Sequence, residues 1–267
     1  MQGLLTFLGT GTSMGVPTLG CDCAVCTSAD PRNKRLRPSI MLRWQQADKQ
    51  RTVLIDTGPD FREQALRNRI THVDAVFYTH SHADHILGLD DLRPLSFSWF
   101  REGGPIPLYA TSETAQVLRH VFDYTFSPDA TYPNRARVHL EPLDAVTSLH
   151  DVNFLRVPVM HGQMEIAGFR FGNTAYLTDV SAIPDSSFAL LANLDHLIVS
   201  ALRHKPHPSH ATVQQALGWA AHIGARQTWF THIAHELGHE ETNRALPAGV
   251  ALAYDGLSLP VELGHNR

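Results

Sequence analysis

The chain has 267 residues, 43% of them apolar and 18% charged, which is enough to bury a substantial core and argues for a single domain over 1–267. A net charge of −4 with histidine neutral excludes a generally basic nucleic-acid surface, and no apolar run is long enough to cross a bilayer. The N-terminal segment lacks the pattern of a secretory signal, and the 3 cysteines are too crowded to pair, so a reducing, cytoplasmic setting is expected.

In chain order, short apolar and β-branched runs that end in polar or turn residues read as strands. They cover 4–8, 39–44, 52–55, 75–78, 106–109, 153–159, 169–171, 175–177, 196–199, 228–230 and 250–253. Two helices stand between them. One covers 112–124, with Ser112 as N-cap and Glu113 in its first turn. The other runs from Ser209 or His210 to Ile223 and is stopped by Gly224. Strands dominate both halves, which predicts an α/β class of two packed sheets with helices outside them, rather than one doubly wound sheet.

The anomaly is the 17 histidines. Thr79-His80-Ser81-His82-Ala83-Asp84-His85 follows the 75–78 run. His80 and His82 alternate on an extended segment and so face the same way, while Asp84 and His85 fall in the turn beyond. Imidazole nitrogens and carboxylate oxygens at this spacing suit two adjacent metal ions. His161, Asp179 and His232 each end a predicted strand, where a rigid sheet presents loop chemistry. They complete two sets: His80, His82 and His161 for one ion, Asp84, His85 and His232 for the other, with Asp179 between them. Asp56, ending the 51–55 run, reads either as a carboxylate that orients a ligand imidazole or as a turn cap.

Cys21, Cys23 and Cys26 offer three thiolates, which select zinc in a closed structural site. Two other motifs compete for attention. His235-Glu236-Leu237-Gly238-His239 matches the zincin pattern, with Glu262 as a distant third ligand, and is the alternative reading as a metallopeptidase. Gly11-Thr12-Ser13-Met14-Gly15 matches a nucleophile elbow, but too few residues precede it, so it is expected to be a tight turn.

The histidine motif, later histidine, aspartate and final histidine resemble the metallo-β-lactamase superfamily across nearly the whole chain. That resemblance implies an αβ/βα sandwich of two mixed sheets flanked by helices. Within the superfamily, Gly9-Thr10-Gly11-Thr12-Ser13, the 20–26 cysteine segment, Leu54-Ile55-Asp56-Thr57-Gly58 and Thr231-His232-Ile233-Ala234-His235 are similar to the cyclic phosphodiesterases of phosphonate breakdown, which act on a ribosyl 1,2-cyclic phosphate. The resemblance implies His235 as the fourth ligand of the structural zinc and His210 as a substrate-facing histidine, with His204 and His207 left as surface loop residues.

The expected activity is hydrolysis of a small phosphodiester by two catalytic divalent metals, zinc or manganese. Asp84 and His210 are counted among the catalytic groups, with His210 protonated to hold phosphate or donate a proton. Thioester hydrolysis and tRNA 3′-end cleavage use related ligand sets. Neither a nucleic acid nor a membrane is an expected partner, and a homodimer is the oligomeric expectation. The 89–155 segment carries no motif that names a substrate.

Overall fold

The computed structural model describes residues 1–102, 104–128 and 132–264. They build two seven-stranded sheets packed face to face. The first contains β1 (Gln2–Gly9), β2 (Ser39–Gln46), β3 (Lys49–Ile55), β4 (Ala75–Phe77), β5 (Ile106–Ala110) and β6 (Val138–Pro142) in that order, with a late strand, Ser258–Glu262, beside β1. The second contains β7 (Val146–Leu149), β8 (Val152–His161), β9 (Met164–Phe171), β10 (Thr174–Leu177), β11 (His196–Ser200), β12 (Gln227–Thr231) and β13 (Val250–Leu252), also in sequence order. The late strand is β14. The helices are α1 (Phe61–Arg67), α2 (Ala83–Ile86), α3 (Arg93–Glu102), α4 (Ser112–Val121), α5 (Asp123–Phe126), α6 (Asp185–Phe188), α7 (Val213–Ile223) and α8 (His239–Ala245). This is the αβ/βα sandwich of the metallo-β-lactamase fold. Among the described residues no helix is long and apolar enough to cross a membrane.

Alternation along the strands sorts the core into three layers. Phe7, Val53, Ile55 and Phe77 of the first sheet meet Phe154, Phe169 and Tyr176 of the second, with Phe77 and Phe154 stacked at 4.4 Å. Residues one position away point outward. Leu54 and Val76 pack against Phe61, Ala115 and Leu118 of the helices, while Leu197 and Val199 pack against Val213 and Ala216.

Both sheets change from antiparallel to parallel pairing partway across. β3–β6 are parallel, and so are β10–β13. Parallel strands end on the same edge, so the segments that leave β4, β10 and β12 emerge together.

The predicted helices form with shifted starts. Thr111, not Ser112, caps α4 by accepting from Thr114 N, and the helix ends at Val121 before the short α5. The second predicted helix starts at Val213 instead of 209 or 210, because Thr212 and Gln215 close a capping box there; Gly224 stops it at φ 68°. β6, β7 and β14, and the first half of β9, were not predicted. β6 reads Val-His-Leu-Glu-Pro and is only half-buried, so it lacks the apolar signature of its neighbours.

Candidate metal centre

The 79–85 segment leaves β4, turns at His82 in extended conformation (φ −65°, ψ 152°) and enters the single turn α2, which carries Asp84 and His85. His161 is the last residue of β8; Asp179 and His232 follow β10 and β12. The fold brings all seven together. His80, His82, His161 and Asp179 offer ligand atoms within 4.8 Å of one another, and so do Asp84, His85, Asp179 and His232. Asp179 belongs to both sets. Its Oδ2 lies 3.5 Å from His80 Nε2 and 3.1 Å from His85 Nε2, and its Oδ1 lies 2.9 Å from His232 Nε2.

The backbone is strained where these ligands sit. Asp179 (φ 56°), His232 (φ 53°) and Asp56 (φ 65°) occupy the left-handed region, at a cost of about 1–3 kcal/mol each that the surrounding structure must offset. Hydrogen bonds fix the rings. Asp56 Oδ2 is 2.7 Å from His85 Nδ1, and its carboxylate also accepts from Thr79 N and Oγ1, both at 2.8 Å. His161 Nδ1 is 2.7 Å from Ser209 O, which makes it the protonated nitrogen and leaves Nε2 facing the site. The expectation that Asp56 orients a ligand imidazole therefore describes its contacts; Thr79 and the Ser209 carbonyl had no sequence signal.

His80 Nε2 and His232 Nδ1 are buried without a hydrogen-bond partner, while Asp84 Oδ2 and His232 Nε2 meet only other members of the two sets. Buried polar atoms are seldom left so. Electrostatics point the same way. Burial resists charge on every group here, yet His85 and His232 together hold Asp179 well below the usual carboxylate range. Burial also opposes charge on His85 and His232, but the carboxylates prevail: Asp179, Asp84 and Asp56 raise His85 well above an ordinary imidazole, and Asp179 with Asp84 pushes His232 up to about 9. The carboxylates demand positive charge at the point where the imidazole lone pairs converge. This donor set fits divalent cations.

His210 lies at the mouth of the site, its ring stacked on His232 at 4.7 Å and also 4.7 Å from His161. It does not cap a helix. Burial and the neighbouring His232 push its pKa down to about 3, which works against the charged form expected of it. His204 is exposed as expected. His207 is not a simple surface residue, because its ring lies 4.9 Å from His210 and, with Thr12, Ser13, Arg203, His210 and His232, it lines a cavity of about 130 Å³.

The three cysteines gather round His235, whose Nδ1 is 3.2, 3.5 and 3.6 Å from the sulfurs of Cys21, Cys23 and Cys26. The four ligand atoms lie within 4.8 Å of one another, a spacing that fits one zinc ion. The Cys26 N–H lowers the Cys23 thiol to about 6, while burial raises that of Cys26 to about 11. The alternative zincin site does not form. α8 begins at His239, so His235 lies outside the helix that would place both histidines on one face, and Glu262 sits on β14, bonded to Gln2. Ser13 is exposed in a turn that no helix follows directly, so the elbow is absent too; Gly15 takes the positive φ (66°) a tight turn needs.

Comparison with known proteins supports this picture. Residues 51–233 match the model of the beta-lactamase superfamily domain. The crystal structure of a new diphosphatase from the PhnP family is 53% identical over 99% of each chain, with a TM-score of 0.92. An octanoyltransferase of Porphyromonas gingivalis is 36% identical over 96% of this chain, which spans 51% of that protein. Zn(2+)-bound PqqB from Methylobacterium extorquens shares the fold at 21% identity and a TM-score of 0.70, over 96% of this chain and 99% of that one. The chain belongs to the metallo-β-lactamase superfamily and, within it, to the PhnP family. Its fold and its His/Asp clusters are those of a metal-dependent hydrolase.

Proposed function

We propose that this chain is a phosphodiesterase with two catalytic divalent cations, hydrolysing a small phosphodiester, with a cyclic ribosyl phosphate as the first candidate. The observation that carries the reading is the placement of Asp179, one carboxylate facing His80 and His85 with one oxygen and His232 with the other. His80, His82 and His161 would hold one cation, Asp84, His85 and His232 the second, and Asp179 would reach both. Zinc or manganese bound there would supply a nucleophilic water at neutral pH and stabilise charge developing on phosphate oxygens.

The chain's own residues do the rest. Asp56 and the Ser209 carbonyl keep His85 and His161 turned toward the site. His210, at the site mouth, donates a hydrogen bond or a proton from its ring to a phosphate oxygen or to the departing oxygen. The cysteine quartet would hold a structural zinc that ties the N-terminal loop to the segment carrying His232. A small substrate fits the net charge of −4 better than a nucleic acid does.

A second reading, cleavage of a diphosphate, is favoured by the 53% identity to the PhnP-family diphosphatase. Octanoyl transfer is not carried over, because the match covers only about half of that protein. The test is a screen of cyclic and linear phosphodiesters and diphosphates with zinc and manganese. Turnover of a diester supports the first reading, and turnover of diphosphates alone replaces it with the second. Turnover of neither, with both metals bound, contradicts both.

A further inference from the structure

Arg35 is buried to 1% exposure and heads the fully buried side chains by volume. Its guanidinium donates to Ala234 O at 2.9 Å and Leu237 O at 2.7 Å, the carbonyls on either side of His235, and to Asn33 Oδ1 at 3.2 Å. All three acceptors are neutral. A buried cation with only neutral partners is costly and calls for an anion nearby. The acidic groups whose charge reaches it are Asp255 and Asp30, and the Cys26 thiol joins them only when ionised, since burial raises it to about 11. Asp30 is already paired with Arg32 at 2.9 Å, and the Asp255 carboxylate accepts from Thr10 N, Thr10 Oγ1 and Leu36 N. Neither carboxylate forms an ion pair with the guanidinium, whose fork instead grips the turn that carries His235 to the cysteines.

Three thiolates and a neutral imidazole around a divalent ion carry one negative charge more than the ion supplies. Arg35 grips the turn on both sides of the imidazole ligand of that site. Its backbone also exchanges hydrogen bonds with Val16 at 2.7 and 2.9 Å, at the entry to the cysteine loop. The turn it grips continues through Ile233 N, bonded to Thr10 O at 2.8 Å, to His232.

We infer that Arg35 is the positioning residue of the cysteine site: its fixed charge offsets the excess negative charge of the metal-loaded thiolates, and its fork holds the 234–237 turn so that His235 faces them. This rests on the reading of the quartet as a zinc site. Zinc loading and the seat of His232 are coupled through one buried guanidinium.

The test uses the full chain with cobalt at the cysteines, where thiolate-to-metal charge-transfer absorption reports that site alone, together with the rate of zinc release to a chelator. Arg35→Gln removes the charge, whereas Arg35→Lys keeps it and loses the fork. We expect Arg35→Gln to shift the charge-transfer bands and release zinc ~10–100-fold faster, with Arg35→Lys restoring most of the retention. A residue that merely supports the fold would lower the melting temperature and leave the bands of the folded chain in place. Unchanged bands and release in Arg35→Gln overturn the inference, and so does Arg35→Lys behaving no better than Arg35→Gln. If Arg35→Gln does not fold, Arg35→Lys decides: release within about 3-fold of wild type supports the charge role, and a change of about 10-fold or more contradicts it. A wild-type chain without thiolate bands overturns the zinc reading itself, and this inference with it.

Discussion

The chain carries two kinds of ligand cluster, and both reach the same strand end. The His/Asp cluster is buried except for His82, is rich in carboxylates and opens toward His210. The cysteine cluster gathers four ligand atoms with no carboxylate among them, and its sulfurs accept from the backbone N–H groups of Thr18 and Cys26. Four donors in a closed shell leave a metal no free position, so such a site suits structure. A pair of sets sharing one carboxylate leaves room for substrate and suits hydrolysis. Two residues separate His232 from His235, and the chemistry changes completely between them.

Substitutions should separate the two clusters. The largest effect is expected from His82→Ala, which removes a ligand from a preformed site. Turnover should be abolished, far beyond the ~10–100-fold loss typical of groups that only support a ligand, while circular dichroism stays native. A metal-analysed mutant that retained phosphodiesterase activity would contradict the assignment. His210→Ala comes next, keeping full metal content and lowering the rate by roughly 10²–10⁴-fold if it assists proton transfer. The loss should shrink for a nitrophenolate leaving group. Equal losses on good and poor leaving groups would make His210 a phosphate-binding group instead.

Asp56→Asn tests how far ligand orientation matters. Its carboxylate touches His85 and Thr79 but faces no metal position, so metal affinity should fall by about 10–100-fold, measured by competition with a chelator. The smallest effect on catalysis is expected from Cys23→Ser. One zinc equivalent should be lost and the melting temperature lowered by roughly 5 °C or more, with activity falling only as a consequence. Unchanged zinc content in that variant would break the comparison at its structural end.

Much of the candidate site was legible in the sequence, because each clustered histidine and aspartate comes after an apolar run that reads as a strand, and parallel strands deliver their ends to one edge. The alternation of His80 and His82 and the crowding of the cysteines are short-range signals of the same kind. The supporting groups were not legible. Ser209 acts through its carbonyl, which any residue possesses, and Thr79 is an ordinary threonine until the fold sets it against Asp56. Arg35 reads as a surface cation, since arginine is seldom buried so fully. The histidine-rich loop shows the same limit: His210 was expected to be charged, and its burial and the packing of its ring against His232, which work against that charge, have no counterpart in the sequence. In the fold itself, β6 and β7 escaped notice because their half-buried, polar-rich runs lack apolar alternation, and the capping threonines displaced both predicted helix starts.

The central claim is that Asp179 joins two cation sites while the cysteines hold a third ion apart from them. It is tested most directly by elemental analysis of the purified wild-type chain beside Asp179→Ala and Cys23→Ser. The expected metal content is about three ions per chain in wild type, about one in Asp179→Ala and about two in Cys23→Ser. Full metal content in Asp179→Ala, or one ion per chain throughout, would contradict it.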